Sequence, residues 1–155
     1  MKKIEGGVTA AAGFQAASVA AGIKYKERPD MAMIFSEVPC HAAGAFTRNV
    51  VKAAPVKWDQ QVVRESDFVQ AVVINAGIAN ACTGAEGFGY CHDTAKAASA
   101  VLGISKEAVL VASTGVIGMQ LPMNRIQAGI EQMASLLKGD LESGTGAARA
   151  IMTTD

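Results

Sequence analysis

Residues 109–119 read VLVASTGVIGM, an apolar run that opens onto small hydroxyl residues and a glycine. This pattern is typical of a buried strand that ends where backbone amides become available. Such an end can be an ordinary turn. It can also be an oxyanion hole, in which the Thr114 hydroxyl and the Gly115 amide donate hydrogen bonds to a developing negative charge. The residue types alone leave both interpretations open.

Two Cys-His neighbours, Cys40-His41 and Cys91-His92, and a third cysteine, Cys82, are the candidate metal ligands. Adjacent residues point to opposite faces of a strand, or about 100° apart on a helix, so neither pair converges easily on one ion. We therefore predict no metal site and interpret the cysteines as small core thiols. Cys82 is also the better candidate nucleophile, but it has no base nearby in sequence, and packing against backbone is the expected role.

Glycine motifs that hold phosphate groups are incomplete in this chain. The P-loop string is absent, and the two Gly-x-Gly pairs, at Gly87 and Gly144, have His92 and Arg149 where a third glycine is required. A loop of small residues can still bind a phosphate without a named motif. A non-catalytic module that binds a small anion or a nucleotide is therefore the alternative to an enzyme.

The chain has 155 residues, half of them hydrophobic, which fits one domain or part of a larger protein. Its 14 basic and 14 acidic residues are dispersed, so we expect neither nucleic acid nor an anionic membrane as partner. The alanine-rich N-terminus after Lys2 and Lys3 is interrupted by Glu5 and a glycine pair, which argues against a signal peptide. Three irregularly spaced cysteines favour reduced thiols in a cytoplasmic protein.

The elements that would position these residues follow from apolar patterning. We predict strands over residues 31–38, 44–49, 69–75 and 109–112, and helices over 93–102, 123–138 and 143–152. Gly103 is expected to end the first helix, and Lys138 with Gly139 to close the second. Residues 75–89 (NAGIANACTGAEGFG) read as a loop or helix start that other backbone approaches closely. Strands and helices interleave, which indicates a layered α/β or α+β domain.

Several strings in one order are more specific than these patterns. They are GGVTA near the start, AGIK at 21–24, AGAFTRN at 43–49, AAPV at 53–56, NAGIANACTG at 75–84 and ASTGVIG at 112–118. On these residues the chain resembles the N-terminal portion of the ornithine acetyltransferases, the glutamate N-acetyltransferases of arginine biosynthesis. The resemblance runs from about Gly6 to Asp155, and ANACTG and STGVIG are its most specific parts.

The resemblance implies an α/β fold of layered sheets and helices and an enzyme that moves acetyl from N-acetylornithine to glutamate without a cofactor. It implies a precursor that cleaves itself into α and β chains, with the N-terminal threonine of the β chain as nucleophile and an α2β2 assembly. Residues 1–155 would be a single α-chain domain, incomplete without its β chain, with one apolar face of the sheet covered by that partner. Thr114 and Gly115 would form the oxyanion hole, and the MTTD string would set Thr153 against the substrate. Whether acetyl-coenzyme A is also a donor stays open.

Two departures from the family pattern are visible. Ala76 and Ile78 stand where the family usually has a serine and an asparagine, so two polar side chains become apolar. The second departure is that the sequence stops before the segment that would carry the substrate-binding lysine and the cleavage site. On this comparison the nucleophile lies outside these 155 residues.

Overall fold

A computed structural model describes residues 5–153 of the chain. Four strands form one sheet in the order β1-β2-β3-β4; the first three are antiparallel, and β3 and β4 are parallel. The predicted layered α/β arrangement is confirmed. In chain order the elements are β1 (Phe14–Val19), β2 (Met31–Cys40), α1 (Ala54–Glu65), β3 (Val69–Asn75), α2 (Glu86–Leu102), β4 (Val109–Ser113), α3 (Met123–Ala134) and α4 (Leu141–Ala150).

The parallel pair β3 and β4 is built from two runs rich in valine. Val73 lies beside Val111 in the register, and both are buried. Parallel neighbours need a long crossover, and α2 supplies it together with a 3-10 turn at Lys106–Ala108. The C-terminal ends of both strands therefore lie at the same end of the sheet.

The main core lies between one face of the sheet and helices α1, α2 and α3. Large side chains fill it from the sheet, among them Met31 and Met33, while α3 contributes Ile126, Ile130 and Met133 at the three- and four-residue spacing of one helix face. The buried side chains of α2 are small, including Ala95 and Ala98, so its backbone packs close to its neighbours. Gly103 ends α2 in the left-handed conformation, at φ +68°, as the sequence predicted.

The opposite face is only half covered by the helices of the described residues. There α4 packs on β1 and β2 through a small cluster of alanines, Ala16, Ala32, Ala147 and Ala150. Over β3 and β4 no helix within residues 5–153 takes that position, and the register neighbours Val72 and Leu110 stay partly buried. These two apolar side chains are partly accessible on the face where a covering partner was expected. The partner itself remains a prediction.

Each outer strand has two of its outward-facing backbone groups bonded to another part of the chain. At the β4 edge the Trp58 indole N–H donates to the Val109 carbonyl (3.0 Å), and the Asp59 carboxyl accepts from the Val111 amide (2.9 Å). At the β1 edge Lys138 exchanges two backbone hydrogen bonds with Ala16. Both edge strands of the sheet are therefore partly covered.

Several predicted boundaries were wrong. Residues 44–49 form no strand, because no sheet edge lies beside them; the whole segment 41–53 is irregular, and Val50 in it is 97% exposed. Helix α3 stops at Ala134, four residues before Lys138, because Lys138 bonds to β1 instead of capping the helix. Helices α2 and α4 begin earlier than predicted, at Glu86 and Leu141, and α4 ends at Ala150.

Two elements were not predicted at all, namely β1 and α1. The N-terminal lysines and the last two residues of the chain lie outside the described residues. Within residues 5–153, no helix combines the length and the apolar character that crossing a membrane requires.

Candidate active site

The loops that carry the candidate residues lie at one end of the sheet, the end at which β3 and β4 finish. The register places Val19 beside Met31, Met31 beside Asn75 and Asn75 beside Ser113, so these four residues form a row across that end. The loops over residues 20–30, 76–85 and 114–122 all leave the sheet there. Residues that are far apart in sequence are therefore brought together at one end of the domain.

The turn after β4 is bonded along its backbone to the loop after β3. The Val116 amide donates to the Gly77 carbonyl (3.1 Å), and the Ala79 amide donates to the Val116 carbonyl (2.8 Å). One step further, the Gly118 amide donates to the carbonyl of Ala81 (2.9 Å). STGVIG and NAGIANACTG, the two most specific strings of the sequence, thus form one continuous structure.

Gly115 is required at its position by both space and backbone conformation. Its φ is +127°, which side chains rarely adopt. A β-carbon there would lie 2.3 Å from the carbonyl carbon of Gly77 and 2.7 Å from the amide nitrogen of Ile78. The turn can therefore approach the neighbouring loop this closely only with glycine.

Two hydrogen-bond donors remain unused in this turn. The Thr114 amide donates to the Asn75 carbonyl (3.0 Å), but among residues 5–153 neither the Thr114 hydroxyl nor the Gly115 amide has a partner. Thr114 is half-buried and Gly115 is exposed. Two free donors on neighbouring residues, fixed by the bonds around them, can donate to an oxygen that becomes negatively charged.

Asn75 and Ser113 hold the two loops in place beneath the turn. The Ser113 hydroxyl donates to the Asn75 side-chain carbonyl (2.7 Å) and accepts from the Asn80 amide (2.9 Å). The Asn75 side-chain amide donates to the Ile78 carbonyl (2.7 Å). Asn75 is buried and Ser113 is partly buried, and their polar groups are satisfied by each other and by the loop backbone, which fixes the loop geometry.

Asn80 connects this network to helix α2. Its side chain is almost fully buried, donates to the Gly87 carbonyl (2.8 Å) and the Cys91 sulfur (3.3 Å), and accepts from the Thr83 hydroxyl (2.7 Å). Burial raises the pKa of Cys91 to about 12, with the nearby charge of Asp59 adding to the rise and the Asn80 hydrogen bond opposing it. Cys91 is therefore a protonated structural thiol and not a nucleophile.

The two departures from the family pattern face the interior. Ala76 is fully buried, and Ile78 belongs to the main core. The backbone of Ile78 still accepts from Asn75 and Ser113 and pairs with Val116. The loop geometry therefore rests on backbone contacts that Ala76 and Ile78 retain.

Asp30 stabilises the loops at the same end of the sheet. It was not identified from sequence as a functional residue. It is fully buried; its carboxyl oxygens accept from the Ala21 and Ile23 amides (2.8 and 2.6 Å), and its backbone carbonyl accepts from Ala76 (2.8 Å). An acidic residue directly before the apolar run MAMIF, the first half of β2, was the available signal. Asp30 joins the loop 20–30 to the loop after β3.

Thr153 lies after the end of α4 and is half-buried. It is held at the same end of the sheet. The Arg28 guanidinium donates to the carbonyls of Met152 and Thr153 and lies over the ring of Tyr25, 4.1 Å from its centroid. Because Arg28 belongs to the loop 20–30, Thr153 shares the end of the domain that carries Thr114 and Gly115. The remaining residues of the MTTD string, Thr154 and Asp155, lie outside the described residues.

The cysteine interpretation was wrong for Cys82, which is exposed rather than packed in the core. Its φ is +56°, a left-handed conformation in the tight turn before Thr83. Cys40 is partly buried, and all three cysteines are free thiols. Within the described part of the chain, no three His, Cys, Asp or Glu side chains come together as a metal-binding group.

Comparison with known proteins identifies relatives of this chain. The model of the ArgJ family matches residues 15–155. The chain belongs to the ArgJ family. Among its relatives is the arginine biosynthesis bifunctional protein ArgJ of Mycolicibacterium paratuberculosis, 51% identical over 97% of this chain and 39% of the relative. The ArgJ protein of Symbiobacterium thermophilum is 50% identical over the whole chain and 38% of its own length. The chain thus spans well under half the length of these ArgJ relatives.

Solved ArgJ structures have the same fold. The ornithine acetyltransferase of Mycobacterium tuberculosis, solved in complex with ornithine, superposes with a TM-score of 0.91 at 49% identity, covering 97% of this chain and 80% of that chain. The ArgJ structure from Bacillus halodurans also gives a TM-score of 0.91, at 39% identity and 77% coverage of its chain. The layered fold predicted from the family resemblance is therefore confirmed.

Proposed function

We propose that this protein is the α-chain portion of an ornithine acetyltransferase, a glutamate N-acetyltransferase that moves acetyl from N-acetylornithine to glutamate. One observation carries the proposal: the Thr114 hydroxyl and the Gly115 amide are unused donors on a turn that hydrogen bonds to the neighbouring loop hold in place. Membership of the ArgJ family and the ornithine complex of a relative support the substrate class. No cofactor is needed, because the acetyl donor is itself a substrate.

In the proposed mechanism the nucleophile is the N-terminal threonine of a β chain from the same precursor. Its hydroxyl attacks the acetyl carbonyl and passes its proton to its own amine, and the carbonyl oxygen becomes an oxyanion. Thr114 and Gly115 donate to that oxyanion and stabilise it more than the neutral carbonyl. The carbon–nitrogen bond then breaks, ornithine leaves with the proton, and the acetyl group remains on threonine as an ester. The glutamate amine attacks that ester through a second oxyanion. The bond between the acetyl carbon and the threonine oxygen then breaks, a proton from the amine returns to that oxygen, and N-acetylglutamate is released.

Thr153 is proposed to contact the substrate beside this hole. Support comes from its anchoring by Arg28 at the end of the domain where Thr114 lies. The β chain is proposed to cover the open half of the sheet at Val72 and Leu110, and two αβ pairs to form an α2β2 assembly in the cytoplasm. Acetyl-coenzyme A is a further donor to test.

Acetyl exchange tests the proposal in the full-length, matured protein. Labelled ornithine incubated with N-acetylornithine should become labelled N-acetylornithine when glutamate is absent, because the acetyl group waits on the enzyme between the half-reactions. Failure of exchange in a protein that still makes N-acetylglutamate would point to direct transfer. Absence of both activities, with small anions still bound by the purified chain, would favour the non-catalytic binding module.

A further inference from the structure

A cavity of about 560 Å³ opens between α1, the start of α2 and the 3-10 turn that precedes β4. Its volume lies within the range of small-molecule sites. Ala108, the residue before β4, lines the cavity, whereas Thr114 follows β4 at its other end. At about 3.3 Å per strand residue the two places are roughly 20 Å apart. The cavity is therefore separate from the candidate active site.

Aromatic side chains line one wall of this cavity. Trp58 is nearly buried, and the ring of Phe88 lies 5.7 Å from it, centroid to centroid, at an angle of 60°. Phe68 and Phe88 also line the cavity and are 38% and 40% exposed. Phenylalanine is more often buried, so two rings exposed in one cavity are notable. Such a wall favours a ligand with a flat or apolar part, and its ring faces attract cations.

The charged groups around the cavity are mostly negative. Glu65 and Asp67 line it at the C-terminal end of α1, where the backbone carbonyls add partial negative charge. Among the described residues neither carboxylate has a basic side chain within ion-pair distance. Lys106, the basic side chain on the lining, is 3.3 Å from Glu107 and from the His92 ring. Two acidic groups therefore remain without a cation.

We propose that this cavity binds a guanidinium group carried on a short apolar stem. A guanidinium is planar and weakly hydrated, so it stacks on aromatic rings and pairs with carboxylates more readily than an ammonium does. The stem would contact Trp58 and Phe88, and the charged end would face Glu65 and Asp67. This site is independent of the acetyl-transfer chemistry at Thr114.

Trp58 makes the test direct, because it is the chain's one tryptophan and lines the cavity. The probe is butylguanidinium, and its neutral isostere butylurea is the control ligand. Titration of the purified protein should give a saturable change in Trp58 fluorescence with butylguanidinium, with Kd on the order of 1 mM for so small a molecule. Butylurea should bind at least about tenfold more weakly, since it lacks the charge. A Trp58→Phe variant supplies the background from any tryptophan outside this chain.

Charge variants locate the site. The double variant Glu65→Gln with Asp67→Asn should weaken butylguanidinium about tenfold or more, whereas Glu131→Gln, an exposed carboxylate on α3, should leave it unchanged. Both variants concern exposed side chains, and a thermal melt checks that each still folds. The proposal is overturned by equal binding of butylurea, by unchanged affinity in the double variant, or by a Trp58 that neither ligand reaches.

Discussion

Gly115 and Gly77 touch so closely that a β-carbon on Gly115 would lie 2.3 Å from the Gly77 carbonyl carbon. This contact joins the turn after β4 to the loop after β3, and both loops border the unused donors. The turn cannot yield without breaking the hydrogen bond from Val116 to Gly77. The geometry of the candidate oxyanion hole therefore depends on the absence of a single methyl group.

Gly115→Ala should accordingly destabilise the protein and abolish acetyl transfer. The clash and the positive φ each cost about 1–3 kcal/mol, so we expect a loss of about 3–5 kcal/mol in the free energy of unfolding, measured by urea denaturation. Gly118→Ala is the matched control, because Gly118 also has a positive φ but open space around it. Its cost should stay near 1–2 kcal/mol. Equal losses in the two variants would mean that strain, and not the Gly77 contact, constrains the turn.

Thr114→Ala removes one of the two proposed donors and leaves the Gly115 amide. In the matured full-length enzyme, kcat for acetyl transfer should fall by roughly 10²- to 10³-fold with little change in KM, the effect of deleting one oxyanion donor. Thr114→Ser keeps the hydroxyl and should retain most of the activity. A well-folded Thr114→Ala enzyme with near wild-type kcat would make STGVIG an ordinary turn.

Asn80→Ala should destabilise the site from below. The change leaves the Gly87 carbonyl and the Thr83 hydroxyl without their buried partner, at a cost of about 2–3 kcal/mol in thermal or urea unfolding. The control is Ser99→Ala on α2, the helix that Asn80 contacts, where an exposed hydroxyl donates to the Lys96 carbonyl and the loss should stay below about 0.5 kcal/mol. A small effect at Asn80 would show that the loop is held chiefly by its backbone bonds.

Asp59 should make stability depend on pH. Burial raises its pKa from 3.8 to about 6, against the Val111 hydrogen bond that lowers it. Between those two values the folded state binds more protons than the unfolded state, so this group lowers the stability as the pH rises from about 4 to about 6. Asp59→Asn keeps an acceptor for Val111 and should be more stable than wild type above pH 6 by about 1–2 kcal/mol, a value reduced from the full shift because the side chain is partly exposed.

The measurement is the difference in unfolding free energy between Asp59→Asn and wild type across pH 4–7. That difference should grow up to about pH 6 and then level off. Ser99→Ala, which changes no titratable group, serves as control and should show no such trend. A constant difference across the range would mean that the pKa of Asp59 in the folded protein is not raised.

Strong local patterns made part of this fold predictable. β3 and β4 are dense in β-branched residues, and α3 repeats its apolar residues every three or four positions, so each was identified. β1 was missed because its residues FQAASV are mostly small and give little strand signal. The segment 44–49 has strand-like composition but no partner strand, and pairing rather than propensity decides a strand.

The site was predictable only as far as its motifs were recognisable. Thr114 and Gly115 were identified from STGVIG and the family resemblance. The contacts that hold them join residues 38 positions apart, as between Asn75 and Ser113, and no local pattern reports such a pairing. The role of Asp30 depends likewise on the way the loop 20–30 folds back over it.

Trp58, Asp59 and Lys138 have a consequence beyond the packing of one molecule. A bare strand edge is a template onto which another copy of a chain can add its own strand, the step that begins fibrillar aggregation. Here two side chains of α1 occupy one edge, and a stretch of backbone interrupts the other at its middle. Copies crowded together during synthesis therefore find no long row of unpaired amides, and the apolar sheet area can stay open without the edges becoming adhesive.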